Sequence, residues 1–198
     1  MKFSAIILAG GSSGRFGKNK LLLPLGEKTV LGTTIDKWLI PEIDEILLVT
    51  GAFHDEIIRQ AFPAIVRIVK NPQFDQGMSH SIRCGLENLD PSTDGVFIIP
   101  ADIPLFKQET LYLMTQKFGQ KKIIIPTYEN KKGHPVLIDR EIVESCLANH
   151  SEKILYDTIQ KHSNDVELLA VNDPGIVMDL DTIEDYNRMK KINEGFYP

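Results

Sequence analysis

The residues best suited to chemistry begin with a glycine-rich, basic segment near the N-terminus. It reads LAGGSSGRFGKNKLL over residues 8–22 and follows the apolar run Phe3–Leu8. Glycine lets the backbone approach a ligand closely, and exposed N–H groups beside Arg and Lys favour an anion. The segment therefore predicts a phosphate-binding loop, with an ordinary strand-to-helix turn as the alternative.

Acidic residues form a second candidate group. Asp102 directly follows the apolar run Gly95–Pro100, and Asp179 and Asp181 lie just before a helical segment. Carboxylate oxygens are ligands that Mg²⁺ prefers, and the ion commonly shares phosphate oxygens of a substrate. Asp is also a favoured helix cap, and Asp181 has Glu184 three residues later, which resembles a capping box. Metal binding and capping are therefore both open on the residues alone.

The elements that must position these groups alternate along the chain. Apolar runs predict strands at Phe3–Leu8, Glu45–Thr50, Val66–Val69, Gly95–Pro100, Lys122–Pro126, Pro135–Ile138 and Val166–Val171. Helical spacing occurs at Val30–Leu39, Asp55–Phe62, Ser79–Leu89, Gln108–Phe118, Arg140–Ala148, Glu152–Lys161 and Asp181–Ile192. This alternation predicts one α/β domain over residues 1–198, Rossmann-like and three-layered, with a mainly parallel central sheet. The polar break at residues 128–133 predicts a small β-ribbon excursion.

The predicted sheet explains how the candidate groups would meet. In an open α/β sheet, ligands bind beyond the carboxyl ends of the strands. The glycine segment follows the first strand, Asp102 follows the fourth, and the pair Asp179 and Asp181 precedes the last helix. We therefore expect the basic loop and the acidic residues to converge on one edge of the sheet.

Two common phosphate-binding motifs do not fit the glycine segment. A P-loop would need glycine where Ser12 stands and Ser or Thr where Asn19 stands. A dinucleotide fingerprint would need glycine at Ala9 and an acidic residue at the end of the second strand. Kinase and dehydrogenase functions are weakened accordingly.

The order LAGG-x-x-x-Arg-x-Gly-x-x-Lys-Leu-Leu-x-Pro resembles the opening signature of the MobA-like nucleotidyltransferases. The resemblance extends from residue 4 to about residue 188. It implies that the loop wraps a nucleoside triphosphate and that Arg15 and Lys20 neutralise phosphate charge during catalysis. The nucleotide-binding residues that it implies in this segment are Leu8, Ala9, Gly10, Gly11, Arg15 and Lys20.

The acidic segments extend this resemblance. The string PADIPL around Asp102 is similar to the metal-binding segment of the family, and Asp179–Asp185 is similar to its second acidic contact, with Ile183 in place of the usual proline. The resemblance implies Mg²⁺ on Asp102, as a catalytic group, together with Asp179 or Asp181. We expect Asp179 to be the ligand and Asp181 the helix cap.

Two further segments resemble the branch that transfers a cytidylyl group to molybdopterin. The first precedes a helix and offers Gly77, Ser79 and Ser81 to the nucleotide; the second is GHPV, which offers Gly133 and His134 to the substrate. On the residues alone, Ser79 could equally cap its helix, and His134 could be structural.

One residue departs from the pattern of the cytidylyl branch, and it bears on which nucleotide base the protein uses. The cytidylyl branch usually reads LAAG where this chain reads LAGG, as the guanylyl branch does. We give the two distal motifs more weight and expect CTP, with GTP left open.

The implied reaction joins a CMP moiety from CTP to the phosphate of molybdopterin or the molybdenum cofactor and releases pyrophosphate. Alternatives are guanylyl transfer to the same cofactor, a sugar-phosphate type of nucleotidyl transfer, and a non-catalytic module that delivers nucleotide or cofactor. A recipient molybdoenzyme is a further partner that the resemblance allows.

Composition limits the class of protein and the partners and compartment that we expect. The chain has 198 residues, a net charge of -5, 42% hydrophobic and 25% charged residues, as is ordinary for a globular protein. Mild acidity gives no support to a nucleic-acid or membrane partner. No signal peptide is expected at the N-terminus, and two widely spaced cysteines, Cys84 and Cys146, suit free thiols in a reducing cytoplasm.

Overall fold

A computed structural model of the protein describes residues 1–12 and 19–195. Its strands are β1 (Phe3–Ala9), β2 (Pro24–Leu25), β3 (Lys28–Thr29), β4 (Ile43–Thr50), β5 (Val66–Lys70), β6 (Gly95–Pro100), β7 (Ile123–Tyr128), β8 (Lys131–Lys132), β9 (Val136–Asp139) and β10 (Val166–Ala170). Its α-helices are α1 (Val30–Asp36), α2 (His54–Ile57), α3 (Met78–Glu87), α4 (Gln108–Lys117), α5 (Arg140–Ala148), α6 (Ile154–Lys161) and α7 (Ile183–Asn193). Short 3-10 helices lie at Lys20–Leu22, Phe74–Gln76, Ser163–Asp165 and Pro174–Val177.

The central sheet has the strand order β10-β7-β9-β6-β1-β4-β5. Strand β1 pairs in parallel with β4 and β6, and β10 pairs in parallel with β7. Strand β9 runs antiparallel between β6 and β7. The predicted α/β fold with a mainly parallel sheet is therefore confirmed. The predicted β-ribbon does not form a single excursion: β9 is a strand of the central sheet, and only the short β8 pairs with the end of β7. Strands β2 and β3 form a separate antiparallel pair.

Helices cover both faces of the sheet, because its strands are apolar on both sides. In β1, Ala5 and Ile7 pack into one core cluster, whereas Ile6 and Leu8 pack into another. Helices α1, α4 and α7 contribute to the first cluster, and α3, α5 and α6 to the second. Trp38 is fully buried in the first cluster, with its ring 5.3 Å from that of Phe97. Two packed faces around one sheet give the predicted three layers.

One predicted helix is much shorter than expected. The spacing predicts a helix over Asp55–Phe62, but α2 ends after a single turn at Ile57. Pro63 disfavours the helical conformation for the residue before it, and Phe62 packs against the first core cluster. Tertiary packing therefore takes the end of this segment out of the helix.

Two further features concern the cysteines and the character of the helices. Cys84 and Cys146 are both unbridged; Cys146 is buried and Cys84 is half-buried. Within residues 1–12 and 19–195, no helix combines the length and the apolar character needed to cross a membrane.

Candidate active site

A cavity of about 630 Å³ opens at the carboxyl ends of β1 and β6. Its walls come from the loop after β1, the start of α3, and the segments that follow β6 and precede α7. The lining residues are Leu8, Ala9, Gly10, Gly11, Ser12, Lys20, Leu21, Phe74, Asp75, Gly77, Met78, Ser81, Pro100, Asp102 and Asp181. The glycine segment and two of the three candidate aspartates therefore share one cavity.

The loop after β1 is held close to its neighbours. A Cβ atom on Gly10 would lie 2.7 Å from Ser81 Oγ, and one on Gly51 would lie 2.5 Å from the Gly10 carbonyl oxygen. The Ala52 N–H donates to that same oxygen at 3.4 Å. Close backbone approach therefore explains two glycines here. Arg15, which was predicted to contact phosphate, lies outside the described residues.

Lys20 projects between the two acidic segments. Its Nζ atom donates to Asp102 Oδ2 at 2.6 Å, to the Leu180 carbonyl oxygen at 2.6 Å, and to Asp181 Oδ1 at 3.2 Å. Burial acts to lower the pKa of Lys20, but the charge and hydrogen bond of Asp102, joined by those of Asp181, outweigh burial and raise this pKa above its ordinary value. Lys20 is therefore a fixed cation at neutral pH.

Asp102 is placed by backbone hydrogen bonds on both sides. The Ala101 N–H donates to the Leu8 carbonyl oxygen at 3.0 Å, which continues the β1–β6 pairing past the end of β6. The Leu180 N–H donates to the Asp102 carbonyl oxygen at 3.0 Å. From α1, the Thr34 hydroxyl donates to the Ala101 carbonyl oxygen at 2.8 Å. Asp102 thus caps no helix, and its carboxylate faces Lys20.

Of the two later aspartates, Asp181 is not the helix cap that was predicted, and metal binding by Asp179 stays a prediction. Thr182, not Asp181, caps α7: its hydroxyl accepts from the Asp185 N–H at 3.1 Å, and Asp185 Oδ2 accepts from the Thr182 N–H at 2.8 Å. The predicted capping box of Asp181 and Glu184 is therefore wrong by one residue, because Thr182 takes the extended cap position. Asp181 is left to contact Lys20. Asp179 does not line the cavity.

The carboxylates suit a cation shared with a substrate. Among residues 1–12 and 19–195, no group of three or more His, Cys, Asp or Glu side chains is arranged to hold a metal ion. However, Asp102 Oδ1 is buried and has no hydrogen-bond partner among these residues. An orphaned carboxylate oxygen beside Asp181 fits Mg²⁺, which takes its other ligands from phosphates and water.

The three predicted residues near the start of α3 separate into two groups. Gly77 and Ser81 line the cavity. Ser79 does not: its hydroxyl donates to the Glu152 carbonyl oxygen at 2.6 Å and accepts from the Ile154 N–H at 3.1 Å, at the start of α6. Its hydroxyl is thus engaged by the start of α6, which packs against α3, and its contact with nucleotide stays a prediction. Ser79 does not cap its own helix, since Gly77 stands at that position without a side-chain cap.

Gly133 and His134 lie outside the cavity lining. A Cβ on Gly133 would lie 2.5 Å from the Ile176 carbonyl oxygen, which also accepts from the His134 N–H at 2.8 Å. Burial lowers the pKa of His134, and the charges of Asp102 and Asp179 oppose that effect only in part. His134 is therefore a neutral imidazole near the acidic segments.

Several lining residues were missed by sequence reasoning. Phe74 and Met78 line the cavity, and Met78 is exposed. Asn71, buried behind them, donates from Nδ2 to Ser81 Oγ at 3.0 Å and accepts the Gln73 N–H at 2.9 Å. The sequence analysis considered the string that contains these residues, but apolar side chains such as Phe74 and Met78 at the starts of short helices give no signal that they face a ligand.

An α/β sheet with a glycine loop at the end of β1 and a Lys–Asp cluster beside it is an arrangement in which enzymes commonly bind phosphate-bearing ligands. The model of the MobA-like NTP transferase domain matches residues 5–166. The chain therefore belongs to this nucleotidyltransferase family.

Individual relatives are distant but extend over much of the chain. The molybdenum cofactor cytidylyltransferase of Escherichia coli K12 is 25% identical over 187 residues, which is 94% of each chain. A probable molybdenum cofactor guanylyltransferase of Methanosarcina mazei is 29% identical over 67% of this chain and 61% of its own. The crystal structure of Rv0371c from Mycobacterium tuberculosis H37Rv in complex with manganese is 25% identical, with a TM-score of 0.80, over 96% of this chain and 99% of that one.

Proposed function

We propose that this protein transfers a CMP moiety from CTP to the phosphate of molybdopterin or its molybdenum form and releases pyrophosphate. The observation that carries the proposal is the Lys20 ammonium held by Asp102 and Asp181 beside a glycine-lined cavity. The similarity to a molybdenum cofactor cytidylyltransferase over 94% of the chain supports these substrates.

The reaction makes one phosphorus–oxygen bond and breaks another. An acceptor phosphate oxygen attacks the α-phosphorus of CTP, and the bond to the pyrophosphate oxygen breaks. A phosphate monoester is largely dianionic at neutral pH because its second pKa is about 6. No side-chain base is therefore needed to deprotonate the acceptor. His134, a neutral imidazole outside the cavity lining, has no such role in this reaction.

The chain's task is then electrostatic. An anion must approach another anion, so preorganised positive charge lowers the barrier. Lys20 supplies a fixed cation whose position is set by two carboxylates and the Leu180 carbonyl oxygen. We assign to Lys20 the neutralisation of triphosphate charge, together with Arg15. The backbone of Gly10 and Gly11, which line the cavity, lies where phosphates can approach closely.

Magnesium is the cofactor that we propose, held by Asp102 and Asp181. When bound, it would neutralise phosphate charge and orient the triphosphate. The orphaned Asp102 Oδ1 supports this assignment, because Lys20 occupies only the other oxygen of that carboxylate. The structure of the similar protein Rv0371c in complex with manganese supports a divalent cation in this proposal.

Guanylyl transfer is the second candidate, and Gly10 favours it. The family's cytidylyl branch usually has alanine at this position, and here a Cβ would lie only 2.7 Å from Ser81 Oγ. The hydrogen bond from Asn71 holds the Ser81 hydroxyl in place, so the cavity wall leaves room for glycine at position 10 but not for a Cβ atom.

The test is pyrophosphate release by the purified protein with Mg²⁺ and molybdopterin, with CTP, GTP, ATP and UTP offered separately. The proposal predicts release with CTP. Release with GTP in its place would assign guanylyl transfer. No release with any triphosphate would overturn nucleotidyl transfer to this acceptor and favour a different acceptor or a binding module.

A further inference from the structure

A second cavity, of about 470 Å³, lies beside the β7–β8 hairpin and α7. Its volume is in the range of small-molecule sites. The residues that line it are Leu105, Lys107, Tyr128, Glu129, Lys131, Asp173, Pro174, Gly175, Val177, Met178, Arg188 and Ile192. None of them lines the first cavity.

The two cavities are joined by the same two segments of chain. Asp102 lines the first cavity and Leu105 the second, while Asp181 lines the first and Met178 the second. These segments are bonded to each other, since the Leu180 N–H donates to the Asp102 carbonyl oxygen at 3.0 Å. A ligand in the second cavity would thus contact the segments that carry the candidate carboxylates.

Positive charge in the second cavity comes from three separate parts of the chain. Lys107 precedes α4, Lys131 lies on β8, and Arg188 lies on α7. None of the three forms an ion pair with any residue in the described part of the chain. The acidic lining residues are Glu129, which is exposed, and Asp173, which is buried.

The carboxylate of Asp173 is already used in hydrogen bonds within the protein. It accepts from the Lys107 N–H at 2.7 Å, the Thr110 hydroxyl at 2.6 Å and the Gly175 N–H at 3.0 Å. Because its oxygens are already used, Asp173 is a structural anchor for the loop before α4. The charged groups that remain in the lining are therefore Glu129, Lys131, Arg188 and Lys107, whose ammonium also donates to the Asn172 carbonyl oxygen at 2.8 Å.

The uncharged side chains of the lining are largely apolar. Tyr128 is half-buried, and Leu105, Val177 and Ile192 stand with it in the lining. A ligand that fits must therefore present both an anion to the three cations and an apolar or aromatic body to this surface. Arg and Lys both bind phosphate oxygens strongly.

We propose that the second cavity binds a small molecule that joins a phosphate to an aromatic or apolar body. The ligand is separate from the acceptor, because the acceptor's phosphate must reach the α-phosphorus of CTP in the first cavity, and the two cavities share no lining residue. It would act through the shared segments, and its binding does not depend on the function proposed above.

The experiment compares flavin mononucleotide with riboflavin, which has the same ring system without the phosphate. Binding is followed by flavin fluorescence with CTP and Mg²⁺ present to occupy the first cavity. The test variant is Lys131→Gln with Arg188→Gln. The matched control is Lys132→Gln with Lys191→Gln, because these exposed neighbours on β8 and α7 do not line the cavity.

The wild-type protein should bind flavin mononucleotide more tightly than riboflavin. The test variant should lose about tenfold in affinity for flavin mononucleotide, as expected for lost charge-assisted hydrogen bonds, and the control variant should not. Equal affinity of the two variants, equal binding of the two flavins, or no binding by the wild type would overturn the proposal.

Kinetics on the same variants test whether the ligand is separate from the acceptor. An unchanged KM for molybdopterin and for CTP, with flavin binding lost, is the result expected for a separate ligand. A raised KM for molybdopterin with an unchanged KM for CTP would overturn that proposal and make the cavity part of the acceptor site. Failure of the nucleotidyl transfer itself would appear differently, as absent pyrophosphate release from a wild-type protein that still binds flavin mononucleotide.

Discussion

Lys20 experiences two opposing effects, and the outcome decides its charge. Burial disfavours the ammonium, whereas Asp102 at 2.6 Å and Asp181 at 3.2 Å favour it. The carboxylates prevail, so the pKa lies above 10.5. A lysine that titrates so far from neutrality acts as a permanent charge and not as a proton carrier.

The Lys20→Met variant tests this charge through stability. Removing the ammonium leaves the half-buried Asp102 without its partner, so the free energy of unfolding should fall by about 1–3 kcal/mol. Because the folded pKa is raised, the stabilisation is fully present below pH 10.5 and is lost only as the pH rises through the folded value. Denaturant unfolding should therefore give the same difference at pH 7 and pH 9. A difference that already disappears by pH 9 would contradict a raised pKa.

Asp102→Asn is the corresponding test of catalysis. The change keeps the size of the side chain but removes the charge that faces Lys20, and we expect kcat to fall by about 100-fold or more, as for other preorganised electrostatic groups. Binding of the triphosphate should persist, because the glycine loop is intact. Pyrophosphate release and CTP titration measure the two effects. Asp55→Asn, an exposed residue of α2, is the control, and equal activity of both variants would remove Asp102 from the site.

At the scale of elements, α3 presents two serines with different tasks. Ser79 bonds to the start of α6, whereas Ser81 is buried, bonds to Asn71 and lines the cavity. Ser79→Ala should lower the free energy of unfolding by about 1 kcal/mol and leave the KM for CTP unchanged. Ser81→Ala should also destabilise the protein but raise that KM. Steady-state kinetics and urea unfolding on both variants separate the roles, and a raised KM for Ser79→Ala would place it at the nucleotide site.

Helix α7 offers a second test through its cap. Thr182→Ala removes the capping box with Asp185 and should cost about 1 kcal/mol of stability. The Thr182 hydrogen bond lowers the pKa of Asp185 below 3.8, so this stabilisation is present above about pH 4 and is lost as the pH falls. Urea unfolding should show that the gap between variant and wild type narrows below pH 4. A gap that widens there would contradict the assignment.

Sequence patterns predicted most elements because local periodicity reflects burial. Apolar runs such as ILLV became two-sided strands, and amphipathic spacing became helices on either face. Contacts between distant segments could not be predicted in the same way. Ser79 takes its partners from Glu152 and Ile154, more than seventy positions away, and no local pattern encodes that pairing.

At the scale of the whole molecule, the parallel sheet accounts for the convergence of the candidate site. Strand ends predicted that Asp102 would meet the glycine loop, and they do share a cavity. The insertion of β9 between β6 and β7 was not predictable, since a four-residue apolar run has the same pattern in either direction. Nor could spacing predict that Asp181 contacts Lys20, which lies 161 positions away in the sequence.

The most direct measurement is the mass of the product. Purified protein is incubated with CTP, Mg²⁺ and molybdopterin, and the pterin product is examined by mass spectrometry alongside the Asp102→Asn variant. We predict a pterin that has gained one CMP moiety through a new phosphate–phosphate bond, formed by the wild type and greatly reduced in the variant. An unmodified pterin with every nucleoside triphosphate, from a protein that binds both substrates, would contradict nucleotidyl transfer as its function.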